Sequence, residues 1–564
     1  MDPNPLELLR EELTTDEVYV KVNAIHRLQI VATVLGPEQV KSQLLPYLAT
    51  LTNEDDEVLF ALAQELGALY TFLPGQASAL MPLLETLAAM DETVVRDQAV
   101  KSLMIIADVL PDSDIINLFV PTVIKLSTAE NFSARVSACA LFASAYPRSG
   151  NLKEKLRQKF LELSHEETPM VRRAAVIEMG VFAKVIEKQF LISELIPDLR
   201  QLAQDEQDQV RTLCVDSLIE VSKLLNKEEN KLHSLPIIIL IGEDKSWKVR
   251  YTFAKEFPAL SDALGKDITE SSLIQTFVQV LRDIEADVKA IALLSLKKSL
   301  QVISRDRIQT LVFPTVEAIA QDVSLPPKVR KNCAQVISEM VGFVGKEFAA
   351  ARISPICLTL LNDDNYEIKL KMIEGLGNVA GAVGPEFLSP PICEILLNLA
   401  KEAPQWRLRE SVYKSCVSIA QALGEDVFIG LLQPIYFNFL TDTVNEVRKT
   451  GVRKVADLVQ VLSQNWVLAE FLPKLEDLYH QDLGYISRRT VLHALSHLTL
   501  EADQFIPIFT EAAKDKVANI RLVLCKVIKR LSSRIDIAPF KTMLQELSRD
   551  PDKDVKYFAI QALK

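Results

Sequence analysis

The sequence predicts an all-α fold, an α-solenoid stacked from about fifteen copies of one helix–turn–helix unit. Three observations carry this expectation. A branched apolar residue followed by Lys or Arg recurs as Val171-Arg172, Val210-Arg211, Val249-Arg250 and Val288-Lys289, with the basic residues 39 apart each time. The pair continues through Val329-Arg330, Ile368-Lys369, Leu408-Arg409, Val447-Arg448, Ile520-Arg521 and Val555-Lys556, and upstream through Val95-Arg96 to Val20-Lys21. An Asp stands six residues before the basic residue in seven of the units: Asp205, Asp244, Asp283, Asp363, Asp442, Asp515 and Asp550. No alternating apolar and polar run flanks an Asn-Gly or Asp-Gly turn, so strands find no support. Units of this period pack only on their neighbours and build one continuous array. The whole chain, 1–564, is therefore read as a single architectural unit.

Residues 190 to 226 show what one unit contains. Leu191, Leu195, Leu199 and Leu202 fall at helical spacing. Asp205-Glu206-Gln207-Asp208 breaks the apolar pattern, and Val210, Leu213, Cys214, Leu218 and Val221 resume it in a second helix. Asp suits the break because it satisfies free backbone donors at turns and helix starts. The following Lys or Arg is expected along the turn surface, where it can meet the Asp of its own or a neighbouring unit. Such a ladder is weak rung by rung if it is exposed.

Pro recurs in or near the first helix, at 82, 121, 197, 236, 314, 355, 434, 473 and 507. Each predicts a kink, since Pro removes an intrahelical bond. The second helix is expected to stop at Gly36, Gly265, Gly384 and Gly424, which follow the last apolar residue as C-cap glycines do.

Composition narrows the function. Hydrophobic residues make up 49% of the chain and Gly only 17 positions, which suits packed helices and excludes disorder. Lys and Arg number 63 against 75 Asp and Glu, a net charge of −12. So acidic a total argues against nucleic acid as a partner, because phosphate binding needs a basic patch. The seven Cys form no C-x-x-C pair, and Cys214, Cys333 and Cys525 fall on the inner face of predicted helices as small hydrophobes. An odd, unpatterned count fits a reducing compartment. Met1-Asp2-Pro3-Asn4-Pro5 carries no leader pattern, and no apolar stretch reaches the length of a membrane span. The expected location is the cytoplasm, with the nucleus open as a second one.

Enzyme motifs do not survive their context. Gly375-Leu376-Gly377-Asn378-Val379-Ala380-Gly381 approaches a dinucleotide-binding fingerprint but sits inside a predicted second helix, where a strand should precede it. Close helix packing explains it better. His493 and His497 share a helix face at i, i+4 without an intervening Glu or a third ligand, so no metal site is expected. No phosphate-binding loop and no nucleophile elbow occurs. The chain is read as a non-enzyme that needs no cofactor.

Information about partners lies where the turns stop looking alike. The residue three before the basic one is Phe132, Trp247, Tyr366, Trp406 and Tyr485 in five units, taking Arg135 and Arg488 as anchors in the irregular ones. Elsewhere it is small or polar, as at Thr93, Asp208, Asn445 and Ala518. Turn aromatics beside basic residues are favoured as binding anchors. Rings folding back over the neighbouring turn are the alternative. Trp406 and Trp247 lead the candidates, and Trp466, outside the register, is expected to pack.

The kinking Pro and the Asp…Val-Arg turn together resemble the HEAT-repeat family over essentially the whole chain. Individual turns sharpen the resemblance. Thr168-Pro169-Met170-Val171-Arg172-Arg173, Asp244-Lys245-Ser246-Trp247-Lys248-Val249-Arg250 and Asp554-Val555-Lys556-Tyr557-Phe558-Ala559, with Glu92-Thr93-Val94-Val95-Arg96, are similar to those of the scaffolding A (65 kDa regulatory) subunits of protein phosphatase 2A. That resemblance implies a superhelical horseshoe without catalysis of its own, serving as a scaffold in a serine/threonine phosphatase. It implies a catalytic subunit on an arm at 390–564, touching Trp406, Arg407, Tyr485, Arg488, Val517 and Asn519. It also implies interchangeable regulatory B-type subunits on an arm at 1–320, touching Thr168, Pro169, Met170, Arg173 and Trp247, with Asp56 and Glu92 as weaker contacts. The chain departs from the family at Asn445, where a Tyr is usual, and at Gln405, where a Lys is common. The last units are also compressed, with 33 residues from Arg488 to Arg521 and 35 from there to Lys556. The competing expectation is an importin-like transport or assembly receptor, whose basic cargo would suit the acidic total.

Overall fold

A computed structural model describes residues 5–481, 484–498 and 500–564. Residues 1–4, on which the leader-sequence expectation rests, lie outside that set. The described residues form helices and turns with no strand. The chain divides into two compact units, Met1–Val280 and Leu281–Lys564.

In each unit first and second helices alternate. The second helices pack side by side in sequence, Pro169–Ala183 on Asp208–Leu224 and that on Trp247–Leu264 in the first unit. In the second unit Trp406–Leu423, Asn445–Val459, Tyr485–Leu495 and Ala518–Leu531 follow one another in the same way. The core lies between first and second helices. Leu191, Leu195, Leu199, Leu202, Val210, Cys214, Leu218 and Val221 are all buried there, as their spacing predicts. Leu213 is only half-buried, while Val215 and Ile219 are buried in addition.

The kink has a specific construction. Among the described residues, nine first helices contain a five-residue π turn, for example Leu191–Leu195 and Val467–Phe471. In eight of them a Pro follows two residues after the turn, at 46, 121, 197, 236, 314, 355, 434 and 473. A Pro ring collides with the carbonyl of the preceding α turn. A wider turn gives the ring room, which is why the two features travel together. Pro82 and Pro507 instead are the second residues of helices that follow a 3-10 turn.

Gly36, Gly265, Gly384 and Gly424 close second helices with φ of +74°, +80°, +101° and +90°. These left-handed values favour glycine. The glycines of the 375–381 motif do a different job. They lie within the helix Tyr366–Val383, and a Cβ on Gly375 would stand 2.2 Å from the Cβ of Ser338 on the preceding second helix. One on Gly377 would stand 2.8 Å from that of Ser418 on the following one. The motif is a helix-packing device.

The Asp and Arg of the repeat form a two-way clamp. Asp205, Asp244, Asp363, Asp442, Asp515 and Asp550 each accept a hydrogen bond from the backbone N–H two residues on, at 2.7–2.9 Å, which shapes the turn. Arg211 reaches back with Nη1 to the carbonyl of Asp205, six residues earlier, at 2.7 Å. Its Nε and Nη2 reach forward to Asp244 of the next unit at 2.7 and 2.9 Å. Arg172 with Asp205, Arg330 with Asp363, Arg409 with Asp442, Arg488 with Asp515 and Arg521 with Asp550 repeat the forward contact. The Arg thus meets the Asp of the neighbouring unit rather than its own. The rungs are not an exposed edge: the Arg211 and Asp244 side chains are 4% and 8% exposed.

Candidate partner-binding ridge

Each turn of the clamp delivers one residue to the start of a second helix. Phe132, Trp247, Tyr366, Trp406 and Tyr485 are all the first residue of their helix. There the chain has just left the clamped turn, so the side chain projects beyond the core. Four of the five rings are 41–43% exposed and Trp406 is half-buried. The Arg407 guanidinium lies 4.6 Å from the Trp406 ring centroid, a cation–π contact that holds the indole in place. Trp247 meets Tyr251 edge-on at 6.4 Å. Trp466 behaves differently, as expected: it is buried, stacks on Phe471 at 5.4 Å and donates Nε1–H to Gln433 Oε1 at 2.6 Å.

In the second unit, Trp406, Asn445, Tyr485 and Ala518 occupy equivalent ends of four successively packed helices. Arg407 is exposed, and Val517 and Asn519 are half-buried beside them. Val517 caps its helix and donates its N–H to Asp515 Oδ1 at 2.8 Å. Arg488 is positioned otherwise than a free contact residue. Its Nε and Nη2 are held by Asp515 at 2.6 and 3.2 Å, so its first duty is the clamp. Gln405 precedes Trp406 as an exposed cap residue.

In the first unit, Thr168 caps the helix that Pro169 begins, and Met170 is 49% exposed. Arg173 Nη1 lies 3.4 Å from the Met170 sulfur, and its buried Nε has no protein partner. Asp56 begins a second helix and Glu92 caps one, both exposed. With Trp247 these residues form the corresponding row of the first unit.

Sequence reasoning missed one charged feature. Second helices Asn445–Val459, Tyr485–Leu495 and Ala518–Leu531 wall a cleft of about 470 Å³ lined by Arg448, Lys449, Arg453, Arg489 and Arg530 with His493 and His497. A net charge of −12 conceals it, and only the stacking of three units brings these residues together. No cluster of three or more metal-ligating side chains occurs among the described residues. No helix among them is long and apolar enough to cross a membrane. Burial pushes the Cys525 thiol up to about 12, as for a packed rather than a reactive cysteine.

No protein-family model matches the chain. Among curated proteins, it is 39% identical over 273 residues to the regulatory A-type subunit of protein phosphatase PP2A from Schizosaccharomyces pombe, covering 47% of this chain and 46% of that one. It is 34% identical over 379 residues to the beta isoform of the human 65 kDa regulatory A-type subunit of serine/threonine-protein phosphatase 2A, covering 66% and 63%. It is 44% identical over 200 residues to the protein phosphatase 2A scaffold subunit of Dictyostelium discoideum, covering 35% and 34%. The chain thus spans less than two thirds of each of these relatives. Among solved structures, importin beta matches 99% of this chain and 77% of its own at a TM-score of 0.63 and 13% identity. Kap95p, in a structure that concerns RanGDP, matches equally well over 99% and 76%. At such identity these two show the fold alone. By fold the chain is a HEAT-repeat solenoid, and by sequence it is a relative of the regulatory A-type subunits of protein phosphatase 2A.

Proposed function

We propose that the chain is a non-catalytic scaffold of a protein phosphatase 2A holoenzyme. In this reading the turn row of 390–564, centred on Trp406 and Arg407, holds the phosphatase catalytic subunit. The row within 1–320, centred on Met170, Arg173 and Trp247, holds one of several regulatory subunits. The observation that carries the reading is the placement of aromatics at the first residue of five second helices, Tyr366 and Trp406 on consecutive ones, where the stacking fixes their spacing. The relatives' names as regulatory or scaffold subunits support the assignment of partner.

Such a scaffold works by effective concentration. Two partners tethered to one body meet as if at millimolar concentration when the geometry allows both to engage. The metal and the chemistry belong to the catalytic partner.

The test is binding of purified phosphatase catalytic subunit to the full chain. Trp406→Ala should weaken it by about 2 kcal/mol, the scale of an aromatic hot spot, and leave regulatory-subunit binding unchanged. Failure of the unsubstituted chain to bind any phosphatase catalytic subunit would remove the proposal. Unchanged affinity of the variant would relocate the contact.

A further inference from the structure

The cleft walled by Asn445–Val459, Tyr485–Leu495 and Ala518–Leu531 gathers cations that, Arg448 apart, neither the clamp nor the ridge uses. Five permanent cations line it: Arg448, Lys449, Arg453, Arg489 and Arg530. The three helices carry only two carboxylates, Glu446 and Asp457. Glu446 is held loosely, 3.5 Å from Lys449 Nζ and 3.8 Å from Arg453 Nη1. Asp457 is taken by Lys454 at 2.6 Å. Val452 is the one apolar residue among the ten that line the cleft, which leaves little for a hydrophobic anchor to grip.

Arg448 is the informative member. Its equivalents Arg409, Arg488 and Arg521 each present the Nε and Nη2 edge to an Asp of the next unit. Arg448 keeps the backward half of the clamp, with Nη1 donating to the carbonyls of Asp442 and Thr443 at 2.5 and 3.0 Å. Its forward edge has no carboxylate among the described residues. Nη2 has only Asn445 Oδ1 at 3.4 Å, and buried Nε has no partner. Asp482, six before Arg488, lies outside the described residues. Arg448 is 6% exposed, so among the described residues this is a desolvated guanidinium whose Nε–Nη2 edge meets no carboxylate. Asn445 Oδ1 also accepts from Arg489 Nη2 at 3.0 Å, so one neutral oxygen serves two cations.

The surroundings register the same excess of positive charge. Burial and then the Arg489 charge hold Arg448 below the usual guanidinium range. Burial and then the neighbouring cations, Arg530 foremost, push His497 down to about 4. His493 is lowered by burial and by Arg489, Arg530, Lys526 and Lys449.

We propose that this cleft binds a small anion bearing several phosphate groups, with Arg489, Arg453, Lys449 and Arg530 surrounding it and Arg448 among the lining residues. The guanidinium fork matches a pair of phosphate oxygens better than a single point acceptor. A volume of about 470 Å³ falls in the range of small-ligand sites. Asn445 is shared with the turn row on which a protein partner would sit, but the cations that line the cleft lie beyond it on the helix flanks. The inference therefore stands apart from the scaffold reading, and its test uses the chain alone.

The probe is sodium tripolyphosphate titrated calorimetrically into the full chain at 0.1 M salt, the order of ionic strength at which diffuse surface charge is already screened beyond about 10 Å. Saturable one-to-one binding is expected. Arg453→Gln with Arg530→Gln, both exposed and safe for folding, should weaken it by about tenfold or more. Arg448→Gln should do the same if circular dichroism shows an intact fold. Lys529→Gln, next to the cleft on the same helix but not lining it, should change affinity by less than about twofold. Absence of saturable binding overturns the proposal. So does equal weakening by Lys529→Gln, which would mark a diffuse charge effect. Binding to vesicles containing a bisphosphorylated inositol lipid, with no binding of soluble tripolyphosphate, would replace the free anion by a headgroup and equally overturn it.

Discussion

Arg211 grips Asp244, 33 residues ahead, with two parallel hydrogen bonds of 2.7 and 2.9 Å while its third nitrogen closes its own turn. One side chain therefore shapes a unit and attaches the next. Both partners are almost completely buried. Removing one of them strands a buried charge, which typically costs about 3–5 kcal/mol. Asp244→Ala should lower stability by that order in urea unfolding. Replacing both, as Arg211→Met with Asp244→Leu, should recover most of it, because apolar substitutes leave no stranded charge. A double variant as unstable as the single one would mean that the carbonyl contact to Asp205 dominates.

Second-helix spacing gives a prediction with a built-in control. Gly375→Ala would drive a Cβ to 2.2 Å from that of Ser338, and overpacking of this kind costs about 1–3 kcal/mol. Ser338→Gly added to it should restore part of the loss. Gly342, also inside a second helix, has nothing within 4 Å of the equivalent position. Gly342→Ala should therefore be neutral or stabilising by up to about 1 kcal/mol. Thermal melts of the three variants separate a packing role from a backbone one.

The clamp also makes stability depend on acidity. Asp550 is held below its usual 3.8, first by its hydrogen bonds from Arg521. A carboxylate with a depressed folded-state pKa contributes stability that is present above the unfolded value and is lost as pH falls through the folded one. The Tm of the chain should thus fall between about pH 4 and lower values, and Asp550→Asn should flatten that slope while lowering Tm at pH 7. A parallel downward shift with unchanged slope would separate Asp550 from the acid sensitivity.

On the first unit, Trp247→Ala should weaken regulatory-subunit binding by about 2 kcal/mol and leave catalytic-subunit binding intact. Its ring touches Tyr251 and is 43% exposed, so the loss of folding stability should be small. Surface plasmon resonance with each partner in turn distinguishes the two rows. Equal loss on both would argue for a global change.

Much of this was legible in sequence because repetition amplifies weak signals. The six-residue gap between Asp205 and Arg211 is the reach of a guanidinium back to a turn carbonyl, and it shows in every unit that carries the pair. Which Asp the forward edge chooses was not legible, since the unit's own lies six residues back and the next unit's 33 ahead, and only the stacking brings the second within reach. Proline announced a bend at 197 but not the π turn before it, because either a broken or a widened helix would fit. That Arg488 also bonds Asp515 of the next unit was not readable from its place beside Tyr485. The cleft around Arg448 escaped altogether. Its cations are spread over 83 positions from 448 to 530, too far apart for any local window, inside a chain whose sum is acidic.

The clamp also governs where such a chain can be divided. A cut between Arg211 and Asp244 leaves one fragment with an unmatched cation and the other with an unmatched anion. The same debt falls due at every seam that carries the pair, so no fragment inherits a finished face. Fragments from opposite sides of one cut carry complementary ends, and these should seek each other out in solution.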